Sequence, residues 1–166
     1  MLVAGNHDIC FKQWNAFLET YKTSVYYFIV ETPLKQRDLF IMYDSADGTL
    51  GKNQLKWLQN TLDWASQQDF RHIIAGSHTH FFMRDNSQGI ATNYSIEETY
   101  TLLRLFQSHG VDMLLTGHSH SREVTLYDEL TCIIVDSMTD SDTKPAYLVA
   151  TMGEKIDYDF IPITKR

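Results

Sequence analysis

Three short apolar runs in this chain each end where a glycine leads into a polar segment that carries histidine. The segments are Gly5-Asn6-His7-Asp8, Gly76-Ser77-His78-Thr79-His80 and Gly117-His118-Ser119-His120, which follow the runs at 2–4, 73–75 and 113–116. Apolar runs of this length are typical of buried strands. Loops at the carboxyl ends of strands are where α/β proteins usually place their sites. The pattern therefore favours an α/β fold with a candidate site in these three loops.

The rest of the chain divides into strands and helices by hydrophobic spacing. Helices are predicted at 10–21, from the turn at 47–51 to about residue 68, and at 95–109, where Ser95 and Glu98 form a capping-box pattern. Strands are predicted at 24–31, 38–44, 71–76, 112–116, 122–128, 131–137, 145–151 and 155–161. The last four strands have no intervening helix, which indicates an antiparallel section. Two packed mixed sheets with helices outside would accommodate this order.

Length and composition exclude several classes of protein. The 166 residues suit a single domain over 1–166, without internal repeats. The formal net charge of −7 argues against a nucleic-acid partner, which would require a basic face. There is no apolar run of membrane-spanning length, and the first residues do not resemble a signal peptide. The two cysteines, Cys10 and Cys132, form no CxxC pair, and both are interpreted as small, mostly buried apolar residues.

Each histidine segment has a simple structural interpretation when it is taken alone. The segment at 117–120 could be a polar turn with two exposed histidines, and the segment at 5–8 could be a turn that caps the following helix. The functional interpretation is metal binding, because neutral imidazole is the commonest ligand for transition metals and the Asn6 amide oxygen also suits a cation. His72 and His109 lack the same setting, and both are interpreted as structural residues.

Taken together, the three segments resemble the motifs of the calcineurin-like metallophosphoesterase superfamily. In that superfamily the order is Asp-x-His, Gly-Asp-x-x-Asp, Gly-Asn-His-Asp/Glu, a single His after a strand, and Gly-His-x-His. The resemblance covers nearly the whole chain and extends to the segment between Asp47 and Leu58, before the central helix. It implies a mixed two-sheet α/β sandwich flanked by helices, with the N-terminal strands missing.

The resemblance also implies a set of metal ligands. Asn6, His78 and His118 would ligate one divalent metal, which could be Mn, Fe or Zn, and His120 would ligate a second. His80 is the alternative to His78, because the family more often has a second His or an aromatic residue and then Pro at this point, where this chain has Thr-His-Phe.

A catalytic role is implied for two further residues. His7 would stabilise the transferring phosphoryl group or protonate the leaving oxygen, and Asp8 would orient His7. The implied reaction is hydrolysis of a small phosphate mono- or diester by a metal-activated water. Such a reaction requires no Ser or Cys nucleophile.

The first two family motifs do not occur in this sequence. Four of the seven family ligands remain, so we expect this chain by itself to hold one metal at most and to be a poor catalyst. Three explanations are open: a piece of a longer enzyme, a protein completed by another chain, or a degenerate relative. Loss of the central strands would expose a sheet edge. We expect a second copy of the chain to cover this edge in a homo-oligomer.

Three functions compete at this point. The leading hypothesis is a metallophosphoesterase, and the alternative is a non-catalytic metal- or partner-binding module on the same scaffold. A zinc-stabilised structural domain is less favoured, because structural zinc sites are rich in Cys and neither Cys lies near these histidines in the sequence. The candidate substrate-binding segments are the polar loops at 77–94 and 137–145.

Overall fold

The computed structural model describes residues 2–10, 13–81, 94–120, 122–136 and 145–163. Within these ranges the helices are α1 (Asn6–Ile9), α2 (Gln13–Tyr21), α3 (Gly51–Ala65) and α4 (Ile96–Ser108). The strands are β1 (Tyr26–Glu31), β2 (Arg37–Met42), β3 (His72–Gly76), β4 (Met113–Thr116), β5 (Glu123–Tyr127), β6 (Leu130–Ile134), β7 (Ala146–Met152) and β8 (Ile156–Pro162).

Six of the strands form one mixed sheet in the order β1-β2-β3-β4-β6-β5. Strands β2, β3, β4 and β6 are parallel neighbours, while β1 and β5 pair antiparallel at the two sides. The carboxyl ends of β2, β3 and β4 therefore meet at one edge, and the loops that follow them are neighbours. This edge brings together two of the predicted histidine segments.

Side chains alternate between the two faces of this sheet, as strand geometry requires. One face packs against α3 and α4 through a large apolar core that includes Leu39, Leu58, Phe106 and Leu114. The opposite face presents Ile74, Met113 and Ile133 to the β7–β8 hairpin. The result is a layer of helices, a central sheet and a two-stranded outer layer.

The second sheet is small and antiparallel. Among the described residues it consists of the antiparallel β7–β8 pair alone. The predicted antiparallel section is confirmed for the β5–β6 and β7–β8 pairs, but β6 also pairs in parallel with β4. The mixed α/β architecture with flanking helices is confirmed.

The apolar run before Gly5 is not a strand, which corrects the sequence prediction. Residues 2–5 belong to no strand of the described sheets. The backbone N–H and C=O of Leu2 instead bond the hydroxyl of Tyr26, at 2.8 and 2.7 Å. The backbone groups of a strand need hydrogen-bond partners on a neighbouring strand. Here the Tyr26 hydroxyl satisfies the N–H and the C=O of Leu2 instead. Ala4 is still buried, against Phe17 and Ala46.

The serine half of the predicted capping box of α4 is present, and the glutamate bonds the start of α3 instead. The Ser95 hydroxyl accepts a bond from the N–H of Glu98 at 3.1 Å, as a helix N-cap does. The Glu98 carboxylate accepts from the N–H of Leu50 at 2.8 Å and from the Thr49 hydroxyl at 3.2 Å. The glutamate therefore ties the start of α4 to the start of α3.

The outer strand β1 carries several exposed apolar side chains, which are Tyr27, Ile29 and Val30. Exposed edges of this kind are usually covered or paired. The expected homo-oligomer across a sheet edge stays a prediction. No helix of the described residues is long and apolar enough to cross a membrane.

Candidate metal centre

Asn6, His78 and His118 come together at the carboxyl-end edge of the sheet. The Nε2 atom of His78 lies 2.9 Å from Oδ1 of Asn6 and 2.9 Å from Nδ1 of His118. The three residues come from α1, from the loop after β3 and from the loop after β4, and are separated by 72 and 40 positions in the sequence. The fold thus unites one residue from each of the three histidine segments.

The backbone around these side chains is closely fitted. The N–H of Gly117 donates to the carbonyl of His78 at 2.9 Å, which joins the two loops directly. At Gly5 a side chain would be crowded, because a Cβ there would lie 3.2 Å from two atoms of the His78 ring. Gly5 therefore allows the close approach of the His78 imidazole.

The segment at 117–119 forms a tight turn. The N–H of Ser119 bonds the carbonyl of Gly117 at 2.9 Å, and His118 between them has a φ of 69°. A positive φ at the centre of a three-residue turn is typical of the rare, strained γ-turn. His120 also has a positive φ, of 55°. Such conformations are concentrated at functional sites, where the surrounding structure holds them.

A proton on Nε2 of His78 cannot fully satisfy both of the contacts that this atom makes. If its Nε2 carries a proton, that single N–H is shared between Asn6 and His118; if it does not, its lone pair faces the amide oxygen of Asn6. A cation accepts lone pairs from all three atoms at once. Two donors that are each about 2.1 Å from one metal ion lie about 3.0 Å apart when the angle at the metal is about 90°, and about 3.4 Å apart when it is tetrahedral. The observed separations and the mixed N and O donors therefore fit a divalent transition metal.

Burial keeps the two rings of the cluster neutral. It lowers the pKa of His78 from 6.5 to about 4, and the nearby His118 adds to the effect while Asp8 opposes it. Burial also lowers the pKa of His118, with further contributions from His120 and His7. Because metal ligation requires unprotonated imidazole, both rings are in the binding form near neutral pH.

His80 lies elsewhere, and its position bears on the choice between His78 and His80. The His80 side chain is 1% exposed, and its Nδ1 faces the hydroxyl of Thr116 on β4 at 3.4 Å. Burial lowers its pKa. Of the two alternatives, it is His78 that meets Asn6 and His118, so we keep His78 as the predicted ligand.

The other predicted site residues lie at the margin of the cluster. His7 and His120 are exposed, and both are close enough to lower the pKa of His78 and His118. The Asp8 carboxylate accepts a bond from the N–H of Gly5 at 2.8 Å, which fixes the start of α1. Its expected role of orienting His7 stays a prediction.

Among the described residues there is no group of three or more His, Cys, Asp and Glu side chains placed to hold a metal. The cluster reaches three donors because Asn6 contributes an amide oxygen. Of the predicted ligands, His120 alone is available for a second metal.

The remaining histidines and cysteines have other settings. His72 is buried, with Nε2 3.0 Å from the carbonyl of Gly153, and His109 contacts Asp63 at 2.9 Å, so both have structural contacts as expected. Cys132 is buried, and burial raises its pKa to about 12. Cys10 is exposed, contrary to prediction, because it directly follows the last residue of the short helix α1.

Sequence reasoning missed a buried hydroxyl group beneath His78. Ser45, in the loop after β2, accepts bonds from the backbone of His78 and Thr79, and Tyr43, Ser77 and Tyr94 lie nearby. The signal that could have identified Ser45 is its place just after a strand that is parallel to β3.

A hollow of about 450 Å³ opens beside the end of α1 and the loop at 44–50. Its lining includes Ile9, Trp14, Asp44 and Gln54. Most of the predicted substrate loops, at 82–93 and 137–144, lie outside the described residues. This hollow is a described space next to α1 that could receive part of a substrate, and its lining does not include Asn6, His78 or His118.

Comparison with solved structures identifies the fold. The chain is similar to GAP50, the anchor in the inner membrane complex of Plasmodium, with a TM-score of 0.56 and 18% identity over 81% of this chain and 42% of that one. It is also similar to a dimetal phosphatase from Danio rerio, with a TM-score of 0.65 and 13% identity over 96% of this chain and 68% of that one. The chain thus spans about two fifths and about two thirds of these structures.

Comparison with known sequences identifies the family. No curated protein matches the chain by sequence. The profile of the calcineurin-like phosphoesterases matches residues 1–122, a range that contains all three histidine segments. This family consists of metal-dependent hydrolases, generally with a dinuclear centre. The chain therefore belongs to the calcineurin-like phosphoesterase family.

Proposed function

We propose that this protein is a metal-dependent phosphoesterase that hydrolyses a small phosphate mono- or diester. The observation that carries the proposal is the convergence of Asn6 Oδ1 and His118 Nδ1 on Nε2 of His78, at 2.9 Å each. Family membership supplies the reaction class, and the three donor atoms supply a place for the metal.

In this proposal Asn6, His78 and His118 hold one divalent transition metal. When bound, the metal neutralises charge on the phosphate and acidifies a water molecule. The neutral rings of His78 and His118 need not lose protons before binding. His118, which has a positive φ, presents its Nδ1 atom to this cluster.

His7 is proposed to act on the substrate. It is exposed, it belongs to the same short helix as Asn6, and its charge is felt by both ligand histidines. An imidazole in this position could donate a proton to the leaving oxygen or stabilise the transferring phosphoryl group. Asp8 supports this arrangement by holding Gly5, and thereby the start of the helix that carries Asn6 and His7.

We expect slow turnover from this chain alone. His120 would contribute to a second metal, but no other ligand for that metal was identified among the described residues. A site with one well-held metal lacks the second cation that clamps the phosphate in two-metal hydrolases.

The test is hydrolysis of an aryl phosphate ester with added Mn²⁺, measured for the natural chain and for His7→Ala. We expect slow, metal-dependent hydrolysis that His7→Ala reduces by about 100-fold, within the range of general acid catalysis. His109→Ala serves as the control, because His109 contacts Asp63 on α3, and it should retain the natural rate. Equal rates for His7→Ala and the natural chain would refute the role of His7.

A non-catalytic binding module is the second candidate. The observation that favours it is the small number of ligands for a second metal among the described residues. Such a module could still bind a single metal through Asn6, His78 and His118. Metal binding without any metal-stimulated hydrolysis would support this candidate over the first.

A further inference from the structure

The loop that carries His78 is anchored to a single buried serine. The hydroxyl oxygen of Ser45 accepts bonds from the backbone N–H of His78 at 3.1 Å and of Thr79 at 2.8 Å. The Thr79 hydroxyl in turn donates to the carbonyl of Ser45 at 2.7 Å. Ser45 and Thr79 are both 0% exposed, so water does not compete for these bonds.

These bonds contribute strongly to the conformation of the loop, because the backbone that they satisfy is buried. Beyond the end of β3, the N–H groups of His78 and Thr79 are satisfied by the hydroxyl of Ser45. A buried N–H without a partner costs about 1–3 kcal/mol, so loss of the hydroxyl would favour a different path for the loop. A new path would change the direction of the His78 ring.

Other buried hydroxyls lie beside Ser45. Burial raises the pKa of Tyr94 to about 12, and the hydroxyls of Ser45, Tyr43 and Ser77 lie close enough to oppose this rise. Neither phenol oxygen has a hydrogen-bond partner among the described residues. Ser45 is therefore held by its contacts with residues 78 and 79 rather than by the phenols.

The other side of His78 is held by the second histidine loop. Its carbonyl accepts the N–H of Gly117, and its Nε2 meets Asn6 and His118. His78 is thus fixed at its N–H by Ser45, at its carbonyl by Gly117 and at its ring by the cluster. Among these anchors, the Ser45 hydroxyl is a side chain that can be removed without touching a predicted metal ligand.

We propose that Ser45 is a positioning residue for His78, which sets the direction in which the imidazole approaches Asn6 and His118. This inference rests on the proposed function, because it concerns the same metal site. Ser45 acts through the backbone of residues 78 and 79 and contacts neither metal nor substrate. Residues that orient metal ligands in this way typically change metal affinity by about 10–100-fold when they are removed.

The test compares Ser45→Ala with Thr61→Val. Thr61 is also buried, and its hydroxyl donates to the carbonyl of Trp57 within α3, so its loss removes a buried hydroxyl bond on a different element. In the metal-free proteins, amide hydrogen exchange at residues 78 and 79 should speed up in Ser45→Ala and stay unchanged in Thr61→Val. Calorimetry with Mn²⁺ should show an affinity about tenfold lower in Ser45→Ala, and Co²⁺ should give an altered visible spectrum.

Unchanged exchange together with an unchanged Co²⁺ spectrum in Ser45→Ala would overturn the inference. An equal loss of affinity in Thr61→Val would also overturn it, since the effect would then be one of general stability. If Ser45→Ala does not fold, Ser45→Cys decides by the same criteria, because a thiol is a much weaker hydrogen-bond acceptor for the N–H groups of residues 78 and 79. If the natural chain binds no metal, the proposed function is wrong. The hydrogen-exchange measurement still tests whether Ser45 holds the backbone of residues 78 and 79.

Discussion

The imidazole rings of His78 and His118 are in direct contact, with Nε2 of one 2.9 Å from Nδ1 of the other. Their planes are nearly perpendicular, at 78°, so the contact is made through the ring edge rather than by stacking. Parallel pairing of β3 with β4 brings the two loops side by side, and the bond from Gly117 to the His78 carbonyl fixes their spacing. Two part-buried nitrogen atoms held this way are suited to a shared cation.

A side chain at Gly5 should disturb the cluster from the opposite side. In Gly5→Ala the new Cβ would lie 3.2 Å from the His78 ring, so the ring must shift by a few tenths of an ångström. We expect Mn²⁺ affinity, measured by calorimetry, to fall about tenfold. Gly117→Ala is the matched control, because its Cβ would meet His78 at an ordinary 3.9 Å. Equal affinities in the two variants would contradict the close approach of Gly5 to the His78 ring.

The left-handed backbone of His120 should destabilise the folded protein, and substitution by glycine should relieve this strain. At a φ of 55° a side chain is strained, so His120→Gly should raise the free energy of unfolding of the metal-free protein by about 1 kcal/mol. Hydrolysis of the aryl phosphate should fall, because a predicted ligand of the second metal is lost. Lys22→Gly, at a φ of 67° just after α2, should stabilise the protein similarly and leave hydrolysis unchanged. Retained hydrolysis in His120→Gly would remove this residue from the site.

The strand ends and their histidines were predictable, because an apolar run followed by a glycine and polar residues indicates where a buried strand stops. This rule located β3 and β4 and the loops that carry His78 and His118. It failed at Leu2, whose backbone bonds the Tyr26 hydroxyl instead of a strand, since sequence periodicity does not show whether a partner ladder exists.

The choice between His78 and His80 was not predictable, because two residues that are two positions apart in a loop look equivalent in the sequence. Their contacts differ, because His80 faces Thr116 inside the fold and His78 meets Asn6 and His118, and the assignment of the metal ligand stays a prediction. Ser45 was missed for a different reason. A single serine has no motif, and its role depends on the parallel pairing of β2 with β3.

The buried phenols beneath the site should make the protein sensitive to alkali. Burial raises the pKa of Tyr94 to about 12 and raises that of Tyr43 above its ordinary value of 10.0. Between pH 10 and 12 the unfolded chain therefore loses protons that the folded protein keeps, and the free energy of unfolding falls as pH rises. The fall should be up to about 1.4 kcal/mol per pH unit for each phenol.

Chemical denaturation at several alkaline pH values measures this effect. The double variant Tyr43→Phe/Tyr94→Phe should show a shallower loss of stability in that range. Tyr100→Phe is the control, because Tyr100 is exposed, and it should behave as the natural protein does. An identical pH dependence in all three proteins would mean that the two phenols ionise in the folded state.

The most direct measurement is the metal content of the protein at equilibrium with Co²⁺, followed by dialysis against metal-free buffer. We expect about one tightly held ion per chain, its loss in Asn6→Ala and in His78→Ala, and its retention in His109→Ala. No bound ion in the natural chain, or an equal content in the natural chain and His78→Ala, would contradict a metal centre built on Asn6, His78 and His118.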